Sequence, residues 1–158
     1  MAWTILYIAA ILGVNYGFSV TAPIEVFGVF LPPMTFVVGA IFVIRDFAQR
    51  QIGHWVWLAM GVGVLLSYLM ADPFVATASA AAFLVSEAAD WAVYTFTKMP
   101  FHQRILLSSV VSTPVDSTVF LVMIGFASIP AIALMTASKM VVAVAVWWWE
   151  RRQVTQNG

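Results

Sequence analysis

The stretch FVATASAAAFLVSEAADWAVYTF, residues 74–96, decides the class of fold to which this chain belongs. It is mostly apolar and long enough to cross a bilayer, because a transmembrane helix needs about 17–25 mostly apolar residues. It nevertheless carries two acids, Glu87 and Asp90, in its interior. Since a charge at the centre of a bilayer costs at least about 2.5–3.5 kcal/mol, the stretch predicts a membrane helix whose acids have a function.

The composition of the whole chain supports a membrane location. Of 158 residues, 63% are hydrophobic and 9% are charged, against about 25% charged in ordinary soluble domains. Most of the surface must therefore face lipid, and the bilayer is the expected partner. The formal net charge is zero, so nothing indicates a nucleic acid partner. The absence of cysteine excludes disulfides and thiolate metal sites.

Six segments have the length and composition of membrane spans. They predict an all-α membrane protein with six transmembrane helices in one bundle, forming a single domain over residues 1–158. Pro33, Pro73 and Pro130 fall where the second, fourth and sixth helices begin, where proline is tolerated. Asp72 and Ser128 are predicted helix caps. The spans are residues 2–20, 33–50, 54–72, 74–96, 103–127 and 130–149.

The distribution of basic residues predicts the orientation. Six of the seven Lys and Arg residues lie at one end of the predicted bundle, and the connections at the other end have none. By the positive-inside rule, this places both termini in the cytoplasm. The tryptophans fall near the same end, where indole rings anchor well. The six basic residues are Arg45, Arg50, Lys98, Arg104, Arg151 and Arg152.

The connection at residues 21–32 is predicted to be the one long loop. It is unusually apolar and carries a single charge, Glu25. Two interpretations remain: the loop folds back over the bundle as a lid, or it lies in the membrane interface.

Polar side chains within the spans fall on single helix faces. The fourth span carries Phe83, Glu87, Asp90 and Tyr94 on one face. The fifth repeats a four-residue spacing with Ser108, Ser112, Asp116 and Phe120. Such faces must point inward, toward each other or toward water.

The depths of these groups predict two polar layers. The inner, cytoplasmic layer contains Asp46, Glu87 and Asp90, with Arg45 and Arg50 as counter-charges. The outer layer contains Asn15, Asp116 and Lys139. Pro114, inside the fifth span, predicts a bend that either lines a site or only adjusts packing.

Each charged group also has a purely structural interpretation. Asp46 and Arg50 are one helical turn apart and could form an ion pair within their helix. Asp116 and Lys139 could pair across two helices instead of binding substrate. Glu87 and Asp90 have too few nearby cations for this explanation, so one of them is expected to hold a proton or to face a ligand.

The sequence offers no catalytic set. His54 and His102 lie in connections at the cytoplasmic edge, far apart along the chain. No glycine-rich phosphate loop, nucleophile elbow or zinc-binding helix motif occurs. We therefore expect neither a metal, nor a cofactor, nor an enzymatic activity.

The chain resembles the vitamin uptake transporter family, whose best-understood members are queuosine-precursor transporters. The resemblance covers nearly the whole chain, although each matching piece is short. Arg45 stands where family members often have a small polar residue. The matching pieces are Asn15-Tyr16, Phe36 through Asp46 to Gly53, Thr77–Ser79 with Asp90 and Tyr94, Ser112 to Asp116 with Phe120, and Lys139.

This resemblance implies a fold similar to the substrate-binding components of vitamin importers. It also implies import of 7-deazaguanine bases, such as preQ0 or preQ1, across the bacterial inner membrane for tRNA modification. A carboxylate can accept both N–H groups on one edge of such a base. Under this interpretation, Glu87 or Asp90 would bind that edge and Asn15 or Lys139 the carbonyl. Phe83, Tyr94 or Phe120 would stack on the flat face.

Two other functions remain open. The chain could be a substrate-binding membrane subunit that needs a separate energising partner, with a surface of small residues at Ala9 and Gly13 as its dock. The same surface would suit a homo-oligomer. Alternatively, the chain could be a membrane scaffold whose buried ion pairs bind no ligand.

Overall fold

The computed structural model describes residues 1–97 and 99–156, most of which lie in six α-helices. Each helix coincides with one predicted span, and most ends agree within four residues. The last helix continues beyond its predicted end at residue 149. The all-α prediction is thus confirmed for the described residues, apart from one short hairpin. The helices are α1 (Ala2–Val20), α2 (Thr35–Ile52), α3 (Val56–Met70), α4 (Pro73–Phe96), α5 (Phe101–Met123) and α6 (Ile129–Gln156).

Local sequence signals set the helix ends. The Asp72 carboxylate accepts hydrogen bonds from the backbone N–H groups of Phe74 and Val75, at 2.9 and 3.1 Å. The Ser128 hydroxyl accepts one from the backbone N–H of Ala131 at 3.2 Å. Both predicted caps are confirmed. Helix α2 ends at Gly53, whose φ of +60° suits glycine, and a 3-10 turn leads into α3.

Four helical stretches of the described residues are long and apolar enough to cross a membrane, which indicates a multi-pass membrane protein. One of them contains both α2 and α3, which each pack along α1. The apolar part of α4, Pro73–Ala89, is shorter. Large apolar side chains on the outside, such as Ile5 and Leu65, are exposed as a lipid-facing surface requires. The four stretches are Ala2–Val20, Thr35–Met70, Leu106–Met123 and Ile129–Trp149.

The helices form a ring in the order α1, α2, α6, α5, α4, α3, judged by which pairs pack most closely. At one end, which we call the tryptophan end, Trp3 stacks on Phe47 with ring centroids 4.7 Å apart. At the opposite end, the Ser19 hydroxyl accepts a hydrogen bond from the backbone N–H of Asp72 at 2.8 Å. We call this the hairpin end, because the segment joining α1 to α2 lies there.

That segment, predicted as the one long loop, contains a β-hairpin that the sequence did not predict. Strands β1 (Ile24–Val26) and β2 (Val29–Leu31) pair in antiparallel register. Phe27 and Gly28 form the turn with φ of +52° and +78°, as tight hairpin turns require. Leu31 is fully buried in the core at this end, so β2 is anchored, whereas the tip at Phe27 is 93% exposed.

The basic residues at the tryptophan end need one correction. Arg50, Arg151 and Arg152 are exposed there, but Arg45 points into the bundle and is only 2% exposed. Arg45 is therefore not an interfacial charge, and five basic residues remain for the positive-inside argument. The side chains of Lys98 and Arg104 are outside the described part of the chain.

Close helix contacts occur at a few glycines. A Cβ atom on Gly39 would lie 2.7 Å from the Cα of Lys139, so α2 and α6 touch backbone to backbone there. Gly13, by contrast, has open space around it, and both it and Ala9 are exposed. The predicted small-residue surface on α1 thus faces outward and is not used within the bundle.

We expect Gly39→Ala to lower the thermal unfolding temperature of the detergent-purified protein. The added methyl must push α6 away, and overpacking of this kind costs about 1–3 kcal/mol. Gly61→Ala is the matched control, because this helical glycine has open space around it. It should be neutral or stabilising, since alanine favours a helix over glycine by about 1 kcal/mol. Equal effects of the two substitutions would contradict the close contact.

Candidate functional site

Arg45 organises a buried charge network in the half of the bundle nearer the tryptophan end. Its guanidinium donates to the Glu87 carboxylate on α4 and to the adjacent Asp46 carboxylate, both at 2.6 Å. The Arg45 and Glu87 side chains are 2% and 6% exposed. Arg45, predicted as a counter-charge of the inner layer, is therefore the cation that Glu87 binds. Tyr7 on α1 is also buried, and it interacts electrostatically with the three charged groups of this network.

A second charge cluster joins α5 to α6. The Lys139 ammonium donates to the Asp116 carboxylate, and both side chains are almost completely buried. It also donates to the Ser117 hydroxyl at 3.1 Å. The Ser86 hydroxyl lies 3.5 Å from the other carboxylate oxygen of Asp116. The ion pair that was one of two sequence interpretations is therefore present.

Aromatic rings separate the two clusters. Phe42 and Phe83 lie with ring centroids 6.0 Å apart and tilted planes. Phe42 precedes Arg45 by three residues, and Phe83 precedes Glu87 by four, so each ring lies one helical turn from a charge of the first network. The Lys139 ammonium lies 5.7 Å from the centroid of Phe42. This distance allows a cation–π contact across the boundary.

A cavity lies on the hairpin side of these rings, at the centre of the ring of helices. Asp116 and Ser79 are its polar lining residues, and five of the six helices contribute to its wall. Its volume is about 10 Å³, which is space for about one water molecule. In this shape the bundle is closed around the Asp116 carboxylate. The lining residues are Val14, Phe18, Val38, Ser79, Ala82, Phe83, Asp116, Phe120 and Met135.

Two buried hydroxyls near the second cluster have no hydrogen-bond partner among the described residues. They belong to Ser112, one turn before Asp116, and Thr136, one turn before Lys139. Buried polar groups are normally satisfied, since an unsatisfied one costs about 1–3 kcal/mol. The hydroxyls of Ser112 and Thr136, each one helical turn from a member of the Asp116–Lys139 pair, could therefore each form a further hydrogen bond.

The structure brings only part of the predicted site together. Phe83, Asp116 and Phe120 line the cavity, and Lys139 reaches it through Asp116. Asn15 is not among the residues that line the cavity, and its amide donates to the Ser67 hydroxyl of α3 at 3.0 Å.

The remaining predicted residues lie elsewhere. Asp46 and Glu87 belong to the Arg45 network. Arg50 is exposed in the last turn of α2. Asp90 and Tyr94 lie in α4, but their side chains are outside the described part of the chain, so their predicted roles stay predictions.

Sequence reasoning did not assign several contributors to these sites, among them Tyr7, Phe18, Ser79 and Ser86. One signal was available for Ser79. It extends the acidic face of α4, because Val75, Ser79, Phe83 and Glu87 follow each other at intervals of four. Phe18 and Tyr7 gave no signal, since an aromatic residue in an apolar span is compatible with any face.

The central cavity presents a carboxylate, a hydroxyl and aromatic rings. No group of three or more His, Asp or Glu side chains suited to a metal ion occurs in the described residues. The Asp116 carboxylate lines this cavity together with the aromatic rings of Phe18, Phe83 and Phe120. Such a site suits a flat molecule with N–H donors on its edge.

Comparison of the chain with protein-family models, with curated proteins and with solved structures found no match.

The Asp116–Lys139 pair gives a testable coupling. Asp116→Asn or Lys139→Met alone should cost about 3–5 kcal/mol of stability, because each leaves an uncompensated buried charge. The double variant should lose much less than the sum of the two, since no charge remains buried. Thermal or denaturant unfolding of all four proteins in the same detergent measures this coupling. Additive losses would show that the two side chains do not interact.

Proposed function

We propose that this chain is a membrane importer of a small, flat, polar molecule. The observation that carries this proposal is the closed central cavity, where the Asp116 carboxylate lies against Phe83 and Phe120. A protein that only needed a stable bundle would gain little from such a group, because replacing buried ion pairs by apolar residues is often neutral or stabilising. Buried charges inside a membrane bundle are typical of substrate and ion pathways.

The proposal includes a topology: the chain crosses the membrane six times, and both termini lie in the cytoplasm. In this arrangement α2, α3 and α4 each cross the bilayer, and the connection at Gly53 lies on the cytoplasmic side. The exposed arginines and tryptophans at the tryptophan end support this orientation. The hairpin end, whose connections carry no basic residue, then faces outward.

The resemblance noted above makes 7-deazaguanine bases, such as preQ0 and preQ1, the first substrates to test. Their edge carries adjacent N–H donors, and their bicyclic ring has two flat faces. Among the predicted acids whose side chains the structure describes, Asp116 lines the cavity, so we assign the donor edge to Asp116. The sequence-based choice was Glu87 or Asp90; Glu87 is engaged with Arg45, and the side chain of Asp90 lies outside the described part of the chain.

Uptake would require the helices to move. The cavity volume of about 10 Å³ is far below the roughly 300–1,000 Å³ of typical small-molecule sites. A substrate would also compete with Lys139 for the Asp116 carboxylate. Binding would therefore coincide with breakage of the ion pair, and Lys139 would become available for an acceptor atom of the substrate.

One observation favours the alternative of a binding subunit with an energising partner. Ala9 and Gly13 form an exposed small-residue surface on α1 that the bundle does not use. Transport by the purified chain alone in vesicles would exclude this alternative. Transport only after co-expression with an ATPase would support it.

The proposed orientation predicts which introduced cysteines an impermeant thiol reagent can reach. The natural chain has no cysteine, so each variant carries a single reactive thiol. In intact cells, Phe27→Cys at the exposed hairpin tip should react, and His54→Cys should react only after permeabilisation. The opposite pattern would reverse the proposed orientation, and labelling of both sites in intact cells would contradict the six spans.

The transport proposal predicts restored queuosine in tRNA. The test uses bacteria that lack both precursor synthesis and their own importer, express this chain, and are fed micromolar preQ0 or preQ1. Asp116→Asn should abolish the restoration because it weakens the acceptor for the donor edge. Asp72→Asn is the matched control, since Asp72 caps α4 outside the cavity and asparagine caps a helix about as well as aspartate.

Both variants must be present in the membrane at the level of the natural chain for this comparison.

A parallel thermal-shift assay with preQ0, preQ1 and guanine measures binding directly, because a ligand at 100 times its Kd stabilises by about 2.7 kcal/mol. No restoration and no thermal shift with any of these bases would refute them as substrates. Equal loss with both asparagine variants would refute the role of Asp116.

A further inference from the structure

A second, larger cavity opens at the hairpin end of the bundle. Its volume is about 200 Å³, roughly the space that a small bicyclic molecule needs. We call it the vestibule. It is bounded by the ends of α1, α4 and α5 and by the two prolines that flank the hairpin. Its lining includes Phe18, Pro23, Pro32, Phe74, Val75 and Phe120.

The vestibule and the central cavity share two lining residues, Phe18 and Phe120. Their rings are in contact, with centroids 4.8 Å apart and planes tilted by 44°. The two rings therefore form the partition between the vestibule and the space next to Asp116. Phe18 also packs against both hydrophobic clusters of the protein, so it lies at the junction of the two halves of the bundle.

The two cavities follow one face of α4. Val75 lines the vestibule, and Ser79, four residues later, lines the central cavity. Phe83 follows at the same spacing and forms the inner wall of that cavity. Since residues four apart stack on one helix face, the face leads from the hairpin end past the ring pair to the carboxylate site.

The partition is weakly held. A pair of aromatic rings contributes only about 0.5–1.5 kcal/mol beyond its buried area, and a phenylalanine side chain has no polar group with which to form a hydrogen bond. Phe120 lies beyond Pro114 in α5, where the helix lacks one backbone hydrogen bond. Phe18 lies in the last turn of α1 and is only partly buried. Both rings are therefore placed where a small helix movement can separate them.

We propose that the vestibule is an entry site for the transported molecule and that Phe18 and Phe120 are the gate between it and Asp116. This inference rests on the proposed importer function. The vestibule also restricts the chemistry of the ligand. Its lining is apolar except for the Thr21 hydroxyl, so a charged molecule would lose hydration there without compensation. The entry site thus selects flat, uncharged heterocycles, which meet the carboxylate only after passing the rings.

The gate can be tested by thiol accessibility, because the chain has no cysteine of its own. Val75→Cys places a thiol in the vestibule, and Ser79→Cys places one behind the rings. A small methanethiosulfonate reagent, applied to the purified full-length protein in detergent, should modify Val75→Cys quickly and Ser79→Cys slowly. Adding Phe18→Ala to Ser79→Cys should accelerate modification roughly tenfold or more, because the ring contact is lost.

Phe74→Ala combined with Ser79→Cys is the matched control. Phe74 lines the vestibule but not the central cavity, so its removal should leave the Ser79→Cys rate unchanged. Phe18→Leu with Ser79→Cys repeats the test with a smaller loss of packing in case the alanine variant does not fold. Monodisperse elution and thermal unfolding establish that each variant is folded.

Two results would overturn the gate. One is equally fast modification of Ser79→Cys and Val75→Cys with both rings intact. The other is a slow Ser79→Cys rate that neither Phe18 substitution in a folded protein changes. These rates need no substrate, so they test the gate even if deazaguanine bases do not bind. For the entry site, the neutral bases preQ0 and guanine should slow modification of Val75→Cys. A base that shifts the unfolding temperature but leaves this rate unchanged would refute entry through the vestibule.

Discussion

The ion pair between Lys139 and Asp116 lies where no water can solvate a charge, and the structure around it follows from that constraint. An unpaired charge at this depth would cost several kcal/mol, so α5 and α6 must hold their partners together. Gly39 allows the α2 backbone to touch α6 at Lys139, which closes the ring of helices at this level. The cavity next to Asp116 exists because these helices converge on a polar pair and not on an interdigitated apolar core.

The two charge clusters differ in what they can do. Arg45 is held by two carboxylates, Glu87 and Asp46, and a guanidinium with several such contacts is a rigid crosslink between α2 and α4. Lys139 has a compact ammonium on a flexible stem and shares its contacts with a hydroxyl. The first cluster is therefore suited to hold the tryptophan end together, and under the proposed function the second is the one suited to exchange partners.

Aromatic rings divide the interior into levels. Phe18 and Phe120 lie on the hairpin side of the Asp116 cavity, and Phe42 and Phe83 lie on the other side. A polar site closed by apolar rings at both ends excludes water and strengthens any hydrogen bond made inside it. Under the proposed importer function, the same rings would keep the two charge clusters from merging into one hydrated channel.

The sequence by itself determined that this is a membrane protein, where its helices lie, and how they begin at Asp72 and Ser128. Hydropathy and capping are local properties, so they can be read without knowledge of neighbours. Sequence could list the buried charges and offer Asp116–Lys139 as one candidate pair, but it could not decide which pairs form: Glu87 pairs with Arg45, and the Asn15 amide binds Ser67 of α3. Those choices depend on which helices become neighbours around the ring, and on the rotation of each. Only the tertiary structure decides these, because an apolar span packs equally well in lipid on every face.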